Sequence, residues 1–118
     1  MAFLLLCANQ QVSSDMNKSE YFQKVMNIVS DLLEVSMKEI VSDSRAFEVV
    51  DARWIAIKLM HDRGYTTRQI APLFNRSKRA ITHALLYFRS RVEDPFSSIG
   101  NNYEIAKKYL RNSGETTM

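Results

Sequence analysis

Three residues within positions 66–85, TTRQIAPLFNRSKRAITHAL, restrict the fold more than any other feature of the chain. Two helices held nearly perpendicular by a tight turn need three things. They need a small residue where they touch, a turn residue that tolerates positive φ, and a branched apolar anchor in the second helix. Ala71, Asn75 and Ile81 supply these in order. Glycine is the usual turn residue, and asparagine is the next best at left-handed φ. Ile70, Phe74, Ala84 and Leu85 complete the apolar face, Thr66 or Thr67 can cap the first helix, and Ser77 can cap the second. Pro72 removes a backbone donor and crowds the preceding turn, so the first helix is predicted to be short or kinked.

With Ile81, Ala84 and Leu85 turned inward, the helical period turns Lys78, Arg79, Thr82 and His83 outward, with Ser77 at the leading end. Arg and Lys can donate to guanine O6 and N7, and the Thr methyl can meet that of thymine, so Ser77, Lys78, Arg79, Thr82 and His83 are the candidate base-reading residues. For His83 an exposed or phosphate-contacting imidazole stands equally open. Arg68, Gln69 and Arg76 flank the second helix, the helix-terminal amides near Thr67 and Ser77 favour a phosphate, and Arg45 lies in the loop before the preceding helix. Arg45, Thr67, Arg68, Gln69 and Arg76 are therefore the candidate phosphate contacts. Arg89 and Arg91 lie one to two turns further on, and at least one of them is read as a solvated charge; the same reading stands beside any contact role for Arg53 and Lys58.

Charge distribution agrees with that reading. Positions 45–91 hold ten Lys or Arg against Glu48, Asp51 and Asp62, whereas the remainder holds six basic and ten acidic residues. Such a concentration is what a nucleic-acid surface requires, although a solvated basic face would look the same.

The rest of the chain reads as helices. Asn17 with Glu20 has capping-box spacing ahead of Phe22, Val25, Met26, Val29, Leu32 and Leu33, which predicts an amphipathic helix over residues 18–34. Ser36 with Glu39 opens a short helical turn through Val41, and residues 42–45 form a loop. The segment AFEVVDARWIAIKLMHDRG is apolar around much of its circumference and is expected to be the central helix, with Gly64 as its left-handed cap and Trp54 as packing. After Asp94 and Pro95, NNYEIAKKYLRN gives a closing helix with Tyr103, Ile105 or Ala106, and Tyr109 or Leu110 inward. No strand alternation occurs, and the fold class is all-α.

The segments SMKEIVSDSR, VVDARWIAIKLMHDRG and RQIAPLFNRSKRAITHAL resemble, over residues 21–110, the C-terminal DNA-binding domain of the bacterial replication initiator DnaA. The resemblance implies a compact domain of about six helices containing a helix-turn-helix, whose second helix reads a short duplex site and whose basic loop before the long helix clamps phosphates. Arg76, Ile81, His83 and Ala84 match the family signature. That signature runs Gly-Gly-Arg-Asp-His-Ser/Thr-Thr-Val, where this chain has Asn75-Arg76-Ser77-Lys78-Arg79-Ala80-Ile81, one residue shorter. No Gly-x-x-x-x-Gly-Lys-Ser/Thr phosphate loop is present.

Residues 16–112 are accordingly expected to form this domain, with residues 1–15 and 113–118 as disordered tails and Met16 as an alternative start. The apolar run after Met1 is too short and too poorly flanked for a signal sequence, and no stretch reaches membrane-spanning length. One cysteine, Cys7, and two histidines, His61 and His83, offer neither a disulfide nor a zinc ligand set, so the expected location is the cytoplasm. No catalytic constellation, metal, cofactor or small-molecule substrate is expected, and Asp51, Asp62 and His61 read as surface residues of a helix. The expected partner is double-stranded DNA, bound as a homodimer or within a larger nucleoprotein assembly, by a small regulator or replication-accessory protein without ATPase activity. Two alternatives stay open: a protein-interaction module using the basic face, and a sigma-factor-like promoter-recognition domain.

Overall fold

The computed structural model describes the backbone of residues 17–115 and the side chains of residues 17–112. The N-terminal tail assigned to residues 1–15, with Cys7, lies outside the described residues. Among the described residues six α-helices follow in order: α1 (Lys18–Leu33), α2 (Met37–Ile40), α3 (Phe47–Arg63), α4 (Thr67–Ile70), α5 (Lys78–Glu93) and α6 (Ile99–Glu115), with a 3-10 turn (Ala71–Phe74) between α4 and α5. No strand occurs among the described residues, and the all-α class holds. Because α6 runs through Glu115, three of the residues assigned to the C-terminal tail are helical; the others fall outside the described residues.

Local chemistry sets the helix starts. Asn17 and Glu20 form a reciprocal capping box on α1, Ser36 and Glu39 do so on α2, and Thr66 and Gln69 on α4. Each pair satisfies two of the amide donors that a helix start leaves without partners. At the other end of α3, Gly64 takes φ 114°, in the left-handed region open to glycine.

The end of α1 is less comfortable. Glu34 adopts φ 58° and ψ 43°, and the reversal lets the Val35 amide donate to the Ser30 carbonyl while Val35 becomes buried. A side chain at left-handed φ costs about 1 kcal/mol, and glycine escapes it. Glu34→Gly is therefore expected to raise the unfolding free energy by about 0.5–1 kcal/mol in a urea titration, an unusual gain for a glycine substitution.

α3 is the centre of the core. Val49, Ala52, Ile55, Ala56, Ile57, Leu59 and Met60 are all buried, which accounts for its nearly unbroken apolar circumference. α1 contributes Tyr21, Val25, Met26 and Val29, α5 contributes Ile81, Ala84 and Phe88, and α6 contributes Ile99, Tyr103, Ala106 and Leu110. The choices left open for α6 fall to Ala106 and Leu110, since Tyr109 is exposed. Each large aliphatic or aromatic side chain so buried contributes about 2 kcal/mol, which is why these faces and not the helix propensities decide the arrangement.

Candidate nucleic-acid interface

The segment 66–85 forms a helix, a turn and a second helix at the expected residues. Pro72 carries no amide proton and its ring crowds the carbonyl four residues back, so α4 stops after Ile70 and the chain continues as the 3-10 turn. Asn75 then takes φ 55° and ψ 44°, and the Arg76 amide donates to the Ala71 carbonyl at 3.0 Å. Ile70, Phe74 and Ile81 are fully buried, and the Phe74 ring meets Phe22 edge-on at 5.3 Å. Thr66 rather than Thr67 caps α4, while Ser77 caps α5 by accepting from the Ala80 amide at 3.1 Å.

Between the loop before α3 and the first two turns of α5 runs an open groove of about 630 Å³. Arg45, Arg76, Ser77, Arg79 and His83 from the sequence-predicted set all line it, together with Arg53 and Trp54 from α3 and one acid, Asp43. Ser77, Lys78, Arg79, Thr82 and His83 are exposed, as are Arg45, Arg68 and Gln69, whereas Thr67 and Arg76 are half-buried. The side chains of Arg45, Arg68, Lys78 and Arg79 form no ion pair among the described residues. Cations held apart from acids in this way cost little to bring against another anion.

Several side chains are already engaged. The Gln69 side-chain oxygen accepts from the Thr66 amide at 2.8 Å as the second half of the capping box. The Thr82 hydroxyl donates to the Lys78 carbonyl at 3.0 Å, leaving the methyl as its unspent group. The His83 ring meets that of Tyr87 at 4.4 Å, tilted by 42°, and is edge-on to Trp54 at 6.2 Å, which limits its freedom while leaving it exposed. Arg76 donates through a terminal nitrogen to the Ser42 carbonyl, and its Nε is buried without a hydrogen-bond partner.

Two readings of α3 are corrected. Arg53 is not a solvated charge: it is 6% exposed, donating from Nε to the Ile40 carbonyl at 2.8 Å and from a terminal nitrogen to those of Ser42 and Ser44 at 2.7 and 3.1 Å. Burial, and then the neighbouring Arg76 charge, lower its pKa from the guanidinium's ordinary value, with Asp43 opposing. Arg53 and Arg76 therefore grip the same loop, the one that carries Arg45. Its burial was signalled in the sequence by Val49, Val50, Ala56 and Ile57, the helical neighbours three and four residues either side, all of them apolar.

Asp51 is likewise buried rather than superficial, and it faces Arg91 at 3.1 Å, with Oδ1 outside hydrogen-bond geometry. The Arg91 guanidinium also lies over the rings of Phe47 at 4.9 Å and Trp54 at 5.1 Å, so it is a packing element rather than a free surface charge. Burial pushes the Asp51 carboxyl above 3.8, Arg91 opposes the shift, and the Glu48 charge adds to it. A carboxyl with a raised pKa binds protons more readily in the folded chain than in the unfolded one, so its contribution to stability falls as pH rises from 3.8 through the folded value. Asp51→Asn is expected to remove that decline, measured as the difference between variant and parent in urea titrations across the acid range.

No family model and no solved structure matches the chain. The chain is 36% identical over 70 residues to the chromosomal replication initiator protein DnaA of Pseudothermotoga lettingae. The match covers 58% of this chain and 16% of that protein, so the chain spans well under two thirds of the length of the relative. No described helix is long and apolar enough to cross a membrane.

Proposed function

We propose that this chain binds double-stranded DNA through a helix-turn-helix made of α4, the 3-10 turn and α5, with α5 in the major groove. The observation that carries the reading is the groove in which Arg45, Arg76, Ser77, Arg79 and His83 converge from a loop and a helix start. A duplex offers phosphates and base edges side by side, and a helix laid in the major groove brings its leading residues to the bases while flanking cations meet the backbone. Similarity to a replication initiator supports the same class of partner. On this reading the chain corresponds to the C-terminal, DNA-binding part of such a protein, and acts as a regulator or replication accessory without catalysis.

Lys78 and Arg79 donate to base edges, Thr82 offers its methyl, and Ser77 and His83 meet the bases at either end of that set. Arg45, Arg68 and the amides at Thr67 hold phosphates. The Gln69 amide nitrogen adds a donor. Arg76 acts chiefly by holding the Arg45 loop, because its guanidinium is committed to the Ser42 carbonyl. Exposed arginines and lysines against phosphate release counterions, so affinity for duplex should fall by roughly one power of salt concentration per phosphate neutralised. Fluorescence anisotropy of the chain with a labelled duplex at several salt concentrations tests this. A steep slope is expected, and binding that is absent or indifferent to salt would contradict the proposal.

A further inference from the structure

The outward face of α5 does not stop at His83. Arg79, Thr82, His83 and Leu86 stand at steps of three, four and seven residues, the spacing of one helical stripe and the one with which a groove-lying helix meets base edges over two turns. Leu86 is 67% exposed and forms no part of the buried core, whose α5 members are Ile81, Ala84 and Phe88 on the opposite side. Exposure alone would carry little, since single apolar residues are scattered over most protein surfaces. Its position carries more. Leu86 continues the stripe that begins with Arg79, Arg89 follows one turn later, and the first acid of α5, Glu93, comes only after a further turn. An apolar side chain among cations suits the one apolar feature that the floor of a major groove offers, the thymine C5-methyl.

Resting on the duplex-binding reading, we infer that Leu86 is a specificity-determining residue that packs against a thymine methyl group. At about 1.5 Å of rise per residue Leu86 lies about 10 Å along the helix from Arg79, which corresponds to about three base-pair steps of 3.4 Å. The site preferred by the protein therefore contains a thymine about three base pairs from the base that Arg79 reads.

The test takes the duplex obtained by selection with the parent chain and replaces each thymine in turn by deoxyuridine, which removes only the methyl. One such replacement should weaken the parent about fourfold, the equivalent of one buried methyl group at about 0.8 kcal/mol. L86A should bind the unmodified site about tenfold more weakly, should be indifferent to that replacement, and should melt at the parent's temperature. L86M should restore most of the affinity and the sensitivity. Equal penalties in parent and L86A, or a loss in L86A that tracks a change in oligomeric state, would overturn the inference while leaving duplex binding intact. If the parent selects no site, the duplex reading falls first and the inference with it.

Discussion

Arg53→Ala is expected to lose about 3 kcal/mol of unfolding free energy, the largest effect of any charged side chain in the fold. One guanidinium bonds the carbonyls of Ile40, Ser42 and Ser44 and thereby holds the chain between α2 and α3. Hydrogen bonds from a charged donor contribute about 1.5–3 kcal/mol each, and carbonyls abandoned inside the protein recover that only where water can follow. Part of the loss is returned because the variant no longer buries a charge. Lysine has a similar charge but not the planar fork, so Arg53→Lys should recover less than half of the deficit. Urea titration of the three proteins measures it, and a loss below about 1 kcal/mol for the alanine variant would mean that the loop is held by something else. The same variant should bind duplex more weakly whatever its sequence, because Arg45 is displaced with the loop.

Arg79→Ala should reduce affinity for a selected site at least about tenfold and flatten the base preference at one or two positions, as losing a good Arg-to-guanine pair does. Its side chain is exposed, lines the groove from the first turn of α5, and forms no ion pair among the described residues, so stability should stay within about 0.5 kcal/mol of the parent. Arg68→Ala is the counterpart. Exposed on α4 and not among the residues that line the groove, it should weaken all sequences alike and lower the salt exponent by about one, with no change in base preference. Affinity titrations of both variants on the selected site and on a scrambled duplex separate the two roles. Identical behaviour of the two variants would remove the assignment of α5 as the reading helix.

What was legible in the sequence was whatever local sterics dictate. Ala71, Asn75 and Ile81 could be read because a tight turn between two packed helices accepts few residues at those points, and Pro72 foretold a short first helix because it has no amide proton and crowds the turn before it. The capping boxes at Asn17 and Ser36 and the glycine cap at Gly64 were visible for the same reason. The roles of Arg53 and Asp51 were not, because their partners come from distant parts of the chain. Arg53 answers carbonyls in a loop and Asp51 answers Arg91 forty residues away. Periodicity marks a buried face but does not say which charge will find a partner within it. Nor could the sequence reveal that Arg76 is spent on Ser42, a bond spanning 34 residues.

Whether α5 reads duplex sequence is decided by selection from a random duplex library, repeated with Lys78 and Arg79 both changed to alanine. The parent chain should enrich a defined site whose binding weakens steeply with salt, and the double variant should enrich none while remaining folded. Enrichment of the same site by the double variant, or salt-sensitive binding by the parent without any enriched site, would contradict a reading role for α5.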